Sequence, residues 1–320
     1  MLDPSISPTP VDRVEIYILV DNYVDGGLPA SSGVRRYSLG HDGNLPINSF
    51  LAEHAISLII TAFVDGKSHR IILDAGCSPE ALPHNIDFGN VDLNGITDVV
   101  ISHGHEDHMG ALPQLLSRIP NSAKVYAHPT AFFSPRFYLA DAGELLREPV
   151  FEKEWITSAR AELVETPGPT VIGDGLFLIT GEIPRKNNFE RALPGSLMEV
   201  DGHLVPDNIL DDQAVIILLK EHGLMVLTGC AHAGVINTVD YARQLTGIDR
   251  VYAVMGGFHL SGEPFQGALE PTLKALRKID PKVLVPMHCT GIEAKSMFYS
   301  KMPDRVKVSG VGTTFNFPLS

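Results

Sequence analysis

Cysteine is scarce in this chain of 320 residues: Cys77, Cys230 and Cys289 stand far apart in sequence. An odd, scattered set builds no disulfide framework, which points to a reducing compartment. No apolar run approaches the length of a membrane span, and residues 1–10 carry neither the cationic start nor the apolar segment of a signal peptide. Positive charge is also in short supply. The 25 Lys and Arg residues face 38 Asp and Glu, leaving a net charge of −13. Sequence-independent nucleic-acid binding needs Lys and Arg clustered on one face, so this balance argues against nucleic acid as a partner. The expectation is a soluble, cytoplasmic protein with a solvated acidic surface, no membrane partner and a small molecule as its ligand.

What is present is a core. Hydrophobic residues make up 44% of the chain, enough for a substantial interior and far from the composition of disorder. Val14–Val20 reads as a first strand, and Ser57–Val64 with His69–Leu73 as a hairpin about Asp65-Gly66-Lys67-Ser68. Asp98–Ser102 is a short buried strand, Glu106–Ile119 a helix, and Lys124–Ala127 another strand. Ala214–Leu219 and Leu224–Leu227 form a second hairpin. A helix over Gly234–Leu245 follows, then a strand over Val251–Met255 and a helix with the stripe Leu269, Leu273, Leu276. Strands at Val283–Val285 and within Val306–Phe317 close the chain. Residues 1–12 read as a flexible tail and 13–320 as a single domain. The irregular stretch 130–200 interrupts the pattern and is expected to be an insertion, a lid over a pocket that selects the substrate. Within it, two short strands flank Gly173-Asp174-Gly175.

Residues 102–109 read Ser-His-Gly-His-Glu-Asp-His-Met. Three imidazoles and a carboxylate (His103, His105, Asp107, His108) crowd one loop at the end of an apolar strand. Unpaired buried polar groups are costly, so such a cluster calls for an ion. Alternate residues of an extended segment point the same way, which aims His103 and His105 at one point. Asp107 and His108, at the start of the next helix, reach a second. Imidazoles with one carboxylate suit zinc or another first-row divalent ion. Elsewhere, His232 and His288 follow buried strands, and His259 follows Met-Gly-Gly-Phe. Strand ends are where layered folds gather their active groups. His41, His54, His69, His84, His203 and His222 read as plain surface histidines.

Ser-His-Gly-His-Glu-Asp-His at 102–108 resembles the His-x-His-x-Asp-His signature of the metallo-β-lactamase superfamily, and Leu73-Asp74-Ala75-Gly76 is similar to its first motif. Further stretches, taken together, look like one branch, named after a dihydropterin-ribofuranosylaminobenzene phosphate synthase. They are Ala52-Glu53-His54, Thr180–Arg185 with Phe189-Glu190, Asp211-Asp212-Gln213, Thr228–Gly234, Gly256–Leu260 and Met287–Gly291. The resemblance runs from about residue 14 to 317. It implies an αββα sandwich, two mixed sheets flanked by helices, with two divalent metals, zinc first and manganese or iron as alternatives. His103 and His105 would bind the first metal, and Asp107, His108 and His288 the second. Where most members supply a further histidine and a bridging aspartate, this chain has Asp211-Asp212-Gln213 and Cys230. The third ligand of the first metal is therefore assigned to His232, with Cys230 or no protein atom between the metals. Asp74 would orient ligand histidines by bonding the loop.

A divalent metal lowers the pKa of bound water to about 7. The expected function is thus a dinuclear metallo-hydrolase whose metal-bound hydroxide attacks a small anionic ester, lactone or phosphoester. Asp107 would orient the water and pass a proton to the leaving group. Arg185, His259 and Cys230 are the candidate substrate contacts. No Gly-x-Ser-x-Gly elbow offers a serine nucleophile. Three alternatives compete. An iron-dependent, dioxygenase-like oxidoreductase could use the same pocket, although diiron relatives carry a glutamate where His105 stands and no flavin-binding domain follows. The branch name implies a pterin or aminobenzoate synthase, but folds do not transmit substrates. A non-catalytic ligand-binding protein would keep the fold without turnover. If the chain associates, a homodimer is the expected assembly, two-fold pairs being the commonest.

Overall fold

The computed structural model describes residues 6–37, 40, 44–140 and 142–319. His41 lies outside the described residues. Two mixed sheets stack face to face. In spatial order the first contains Val34–Arg35, Thr314–Phe317, Arg13–Val20, Ser57–Val64, Lys67–Leu73, Ile96–Val100, Lys124–Ala127 and Glu162–Glu165. The second runs Thr170–Ile172, Phe177–Ile179, Ala214–Leu219, Gly223–Thr228, Val251–Gly257 and Val283–Met287. Both are antiparallel on one side and parallel on the other.

These strands read as continuous apolar runs because both of their faces are covered. Side chains alternate between faces. Leu58 and Ile60, Ile71 and Leu73, Val215 and Ile217, Met225 and Leu227, and Ala253 and Met255 point between the sheets and form one core. Their neighbours Ile59, Ile72, Val99 and Ile101 face outward against Leu82, Ile86, Leu112, Leu115 and Leu116. On the other side Ile216, Val226, Val254 and Leu284 meet Val235, Ile236, Val239, Leu273, Leu276 and Phe298. The layering is helix, sheet, sheet, helix, as expected. Each fully buried Leu, Ile or Phe contributes on the order of 1.5–3 kcal/mol, and a register slip of one residue would exchange the inner and outer faces of the slipped strand.

Three sequence expectations need correction. The helix over Glu106–Ile119 is broken into Glu106–Met109 and Leu112–Arg118. Pro113 cannot donate to residue 109 and its ring would strike that carbonyl. A Cβ on Gly110 would lie 2.1 Å from the Cys77 carbonyl oxygen, so the chain crosses here at backbone contact. The second concerns the tail. Residues 1–5 lie outside the described residues, but 6–12 are fastened to the body by hydrogen bonds from Ile6 N to Leu245 O, Thr9 N to Gly175 O and Val11 N to Leu218 O.

Third, the stretch 130–200 is not one insertion. Arg136–Leu139, Leu145–Arg147, Ser196–Val200 and His203–Pro206 form a separate four-stranded sheet. Between them, Glu162–Glu165 joins the first main sheet, while Thr170–Ile172 and Phe177–Ile179 join the second. The helices Ala81–Phe88 and Ile292–Lys301 were not anticipated. No helix among the described residues is long and apolar enough to cross a membrane.

Candidate metal centre

The candidate residues gather at one edge of the sandwich because each follows the end of a strand from the parallel part of a sheet. Asp74 follows Lys67–Leu73, and the 102–108 loop follows Ile96–Val100. Cys230 with His232, His259, and His288 with Cys289 follow the adjacent strands Gly223–Thr228, Val251–Gly257 and Val283–Met287. Asp74, Ala231, His259 and His288 all hold left-handed backbone, with φ of 60°, 55°, 45° and 43°. Non-glycine residues rarely adopt that region, and its concentration at one edge is a mark of functional sites.

The histidines of the loop meet those brought by the second sheet. Ring centroids of His103, His105 and His232 lie 4.5–4.9 Å apart. His103 Nε2 and His105 Nδ1 are 3.1 Å apart. The other group centres on Asp107. Its Oδ1 is 3.5 Å from His108 Nε2 and its Oδ2 is 3.1 Å from His288 Nε2, the latter a close contact without hydrogen-bond alignment. Cys230 stands between the groups: its Sγ is 3.2 Å from His108 Nε2, and it falls within 4.8 Å of donor atoms in both sets. Cys230 is thus structurally central, while Asp211 and Asp212 are engaged by Gly104 N, Arg136 and Ala233 N.

The donor set fits a cation. Buried ring nitrogens His105 Nε2, His232 Nδ1 and Nε2, and His288 Nε2 have no hydrogen-bond partner among the described residues. Each such orphan costs about 1–3 kcal/mol, which shared coordination would relieve. Burial holds His103 and His232 well below the usual imidazole pKa, and lowers His105 to about 4. Burial thus disfavours protonation of all three rings, and His105 and His232 keep buried nitrogens without a partner among the described residues. Burial also works against charge on His108, but the carboxylates of Asp107 and Asp74 outweigh it and raise its pKa to about 9. The carboxylate side of the site therefore attracts positive charge.

A surrounding layer fixes the orientations. Buried Asp74 accepts hydrogen bonds from Ser102 N and Ser102 Oγ at 2.7 Å and from His108 Nδ1 at 2.6 Å, which turns His108 Nε2 toward Cys230 and Asp107. His288 Nδ1 pairs with Asn22 Oδ1 at 3.0 Å, and its backbone N–H donates to Asp21. The Asp211-Asp212-Gln213 run is a buckle. Asp211 accepts from Gly104 N at 2.7 Å and binds the Arg136 guanidinium through both oxygens. Asp212 accepts from Ala233 N, and Gln213 donates to Ile101 O.

Sequence reasoning missed two residues here. Arg136 is buried against Asp211, with Asp207 Oδ2 2.8 Å from its Nε, and it braces the histidine loop. Only its unusual burial reveals it. His54, read as a plain surface residue, places Nε2 3.8 Å from Asp107 Oδ2 and its ring 4.9 Å from that of His288. Its placement within Ala52-Glu53-His54 was the available signal.

A cavity of about 650 Å³ opens beside His54 and His288 and is also lined by Cys289, Lys295, Tyr299 and Lys307. Among the described residues its lining includes none from 130–200, whereas Glu190 and Arg191 of that stretch line a smaller cavity beside His232 and His259. Arg185 does not reach the larger cavity; it donates to the His232 carbonyl at 3.3 Å. His259 stacks beside His232 at 4.2 Å between centroids.

Residues 60–288 match the profile of the metallo-β-lactamase superfamily, and the chain belongs to that superfamily. It is 29% identical over 315 residues to a 7,8-dihydropterin-6-methyl-4-(β-D-ribofuranosyl)-aminobenzene-5'-phosphate synthase of Methanocaldococcus jannaschii, covering 96% of this chain and 98% of that protein. A hydroxyacylglutathione hydrolase of Hamiltonella defensa is 24% identical, over 72% of this chain and 83% of the hydrolase. A solved structure of a metal-dependent hydrolase of the β-lactamase superfamily superposes with a TM-score of 0.69 at 23% identity, covering 94% of this chain and 98% of the other. That last likeness is one of fold.

Proposed function

We propose that the protein is a dinuclear metal-dependent hydrolase acting on a small anionic ester, lactone or phosphoester. The observation that carries this reading is the convergence of buried, unpartnered imidazole nitrogens on one carboxylate and one thiol. His103, His105 and His232 would hold one divalent ion, and Asp107, His108 and His288 the other, with Cys230 between them. Zinc is the first candidate for this donor set, ahead of manganese or iron. Ions bound there would supply a water deprotonated near neutral pH and stabilise negative charge as it develops.

The remaining steps belong to the chain. Asp107, with its oxygens 3.5 Å from His108 Nε2 and 3.1 Å from His288 Nε2, would accept or return the proton that moves between water and leaving group. His54, whose Nδ1 faces Asn22 Nδ2 at 2.8 Å, presents Nε2 to the same carboxylate from the cavity side. Lys295 and Lys307 on the cavity wall suit an anionic substituent. His259 flanks the first ion's position, and Arg185 steadies it through the His232 backbone.

A second reading is a synthase, favoured by the similarity along nearly the whole chain to a protein named for a 5'-phosphate product. A phosphate on the substrate would fit the same lysines. The test is a screen of zinc-, manganese- and iron-loaded protein against phosphoesters, lactones and thioesters, beside pterin and aminobenzoate condensation. Hydrolysis that Asp107→Ala abolishes supports the first reading. Condensation without hydrolysis in any metal form replaces it with the second.

A further inference from the structure

Behind the histidine–carboxylate group lies a second cluster with different chemistry. Cys230, His259 and Cys289 bring one donor atom each to within 4.8 Å of one another. Both thiols are free and buried. One ring nitrogen of His259 thus lies within 4.8 Å of both sulfurs, and its Nδ1 is buried with no hydrogen-bond partner among the described residues.

The fold goes to some length to make this contact. The three residues follow three adjacent parallel strands, paired Thr228 to Gly256 and Gly257 to Met287. A Cβ at Gly257 would stand 2.6 Å from Cys289 Sγ and 2.4 Å from Gly229 O, so only glycine lets the thiol lie against the neighbouring strand end. The left-handed turn at His259, φ 45°, directs its backbone N–H onto Cys289 Sγ at 3.3 Å. Buried cysteines often act simply as small apolar groups. An apolar filler role, however, leaves the His259 nitrogen unexplained.

We infer that Cys230, His259 and Cys289 form a sulfur-bearing position for a thiophilic ion, adjoining the centre proposed above and sharing Cys230 with it. Two sulfurs and an imidazole select zinc, cobalt(II) or copper(I) over magnesium, calcium or manganese. Each thiol gives its proton to solvent as its sulfur binds. Three protein donors leave a fourth position open, the pattern of zinc sites that bind an exchangeable ligand. The inference depends on neither the hydrolytic activity nor the number of ions at the histidine group.

Cobalt(II) reports sulfur ligation directly. The full-length protein is stripped with a chelator and titrated anaerobically with cobalt(II), reading the near-ultraviolet sulfur-to-cobalt charge-transfer absorption. The wild type and Cys77→Ser develop the band equally. Cys289→Ser loses about half of it, one of the two sulfur donors being gone, while still binding cobalt through the histidines. If Cys289→Ser fails to fold by circular dichroism, Cys289→Ala and His259→Ala replace it; the first should halve the band and the second should shift the visible cobalt bands. Full charge transfer in the Cys289 variants would make Cys230 a ligand of the histidine centre alone and overturn the inference. Cobalt bound by the wild type with no charge transfer overturns it as well, while leaving the hydrolase reading intact.

Discussion

Asp74→Asn isolates the part of the site that no ion or substrate touches. Asp74 is fully buried and accepts three short hydrogen bonds, two from Ser102 and one from His108 Nδ1. An asparagine fits the same space but offers one acceptor oxygen and one amide donor. Whichever way the amide turns, a buried donor faces it: either Ser102 N–H or His108 Nδ1–H. Losing a bond to a charged acceptor costs about 1.5–3 kcal/mol. The amide oxygen is best kept on Ser102 N, which leaves the NH₂ group against His108. His108 can then accept from it only by moving its own proton to Nε2, the nitrogen aimed at Cys230 and Asp107. Metal affinity should fall roughly 10–100-fold, equivalent to about 1.4–2.7 kcal/mol. Chelator competition measures the affinity, and urea unfolding of the stripped protein measures the stability. Wild-type affinity and an unchanged urea midpoint together would refute the argument that Asp74 sets the His108 tautomer.

Other consequences follow from the same geometry. Arg136→Met leaves Asp211 and Asp207 buried without their cation and should lower stability by about 3–5 kcal/mol, read from urea unfolding. Adding Asp211→Asn to that variant should restore part of the loss. Burial pushes the Asp212 carboxyl up to about 7. Between its ordinary value of 3.8 and that value the folded state binds the proton more tightly than the unfolded state. The associated stability is therefore complete below about pH 4 and is lost as pH rises through about 7. Asp212→Asn keeps an acceptor for Ala233 N and should flatten this decline in thermal melts of metal-free protein. Melts whose pH dependence matched the wild type would contradict the assignment. His103→Ala should lose metal while keeping the wild-type circular dichroism spectrum.

The sandwich was legible because its strands are fully apolar and its hairpins are marked by Asp-Gly and Glu-His-Gly turns. The histidine loop was legible because so many donors in one short segment have few other uses. Two features lay outside the reach of local pattern. The helix Ile292–Lys301 buries only Ala294 and Phe298 and exposes Ile292 and Tyr299, so it lacks the stripe by which helices announce themselves. The bracing of the loop by Arg136 joins residues far apart in sequence, and no spacing signals a tertiary ion pair. The break at Gly110 was readable from Pro113, whose ring forbids the continuous helix. The stretch 130–200 looked foreign because its strands are short and partly exposed, although three of them complete the main sheets.

The central claim is that this edge of the sandwich holds divalent metal. Elemental mass spectrometry on protein purified without chelator or added metal tests it, with His103→Ala measured alongside. The account predicts about two ions per chain in the wild type, zinc foremost, and a clear loss in the variant. A wild type that binds no metal even after reconstitution, or a His103→Ala variant with full metal content, would contradict it.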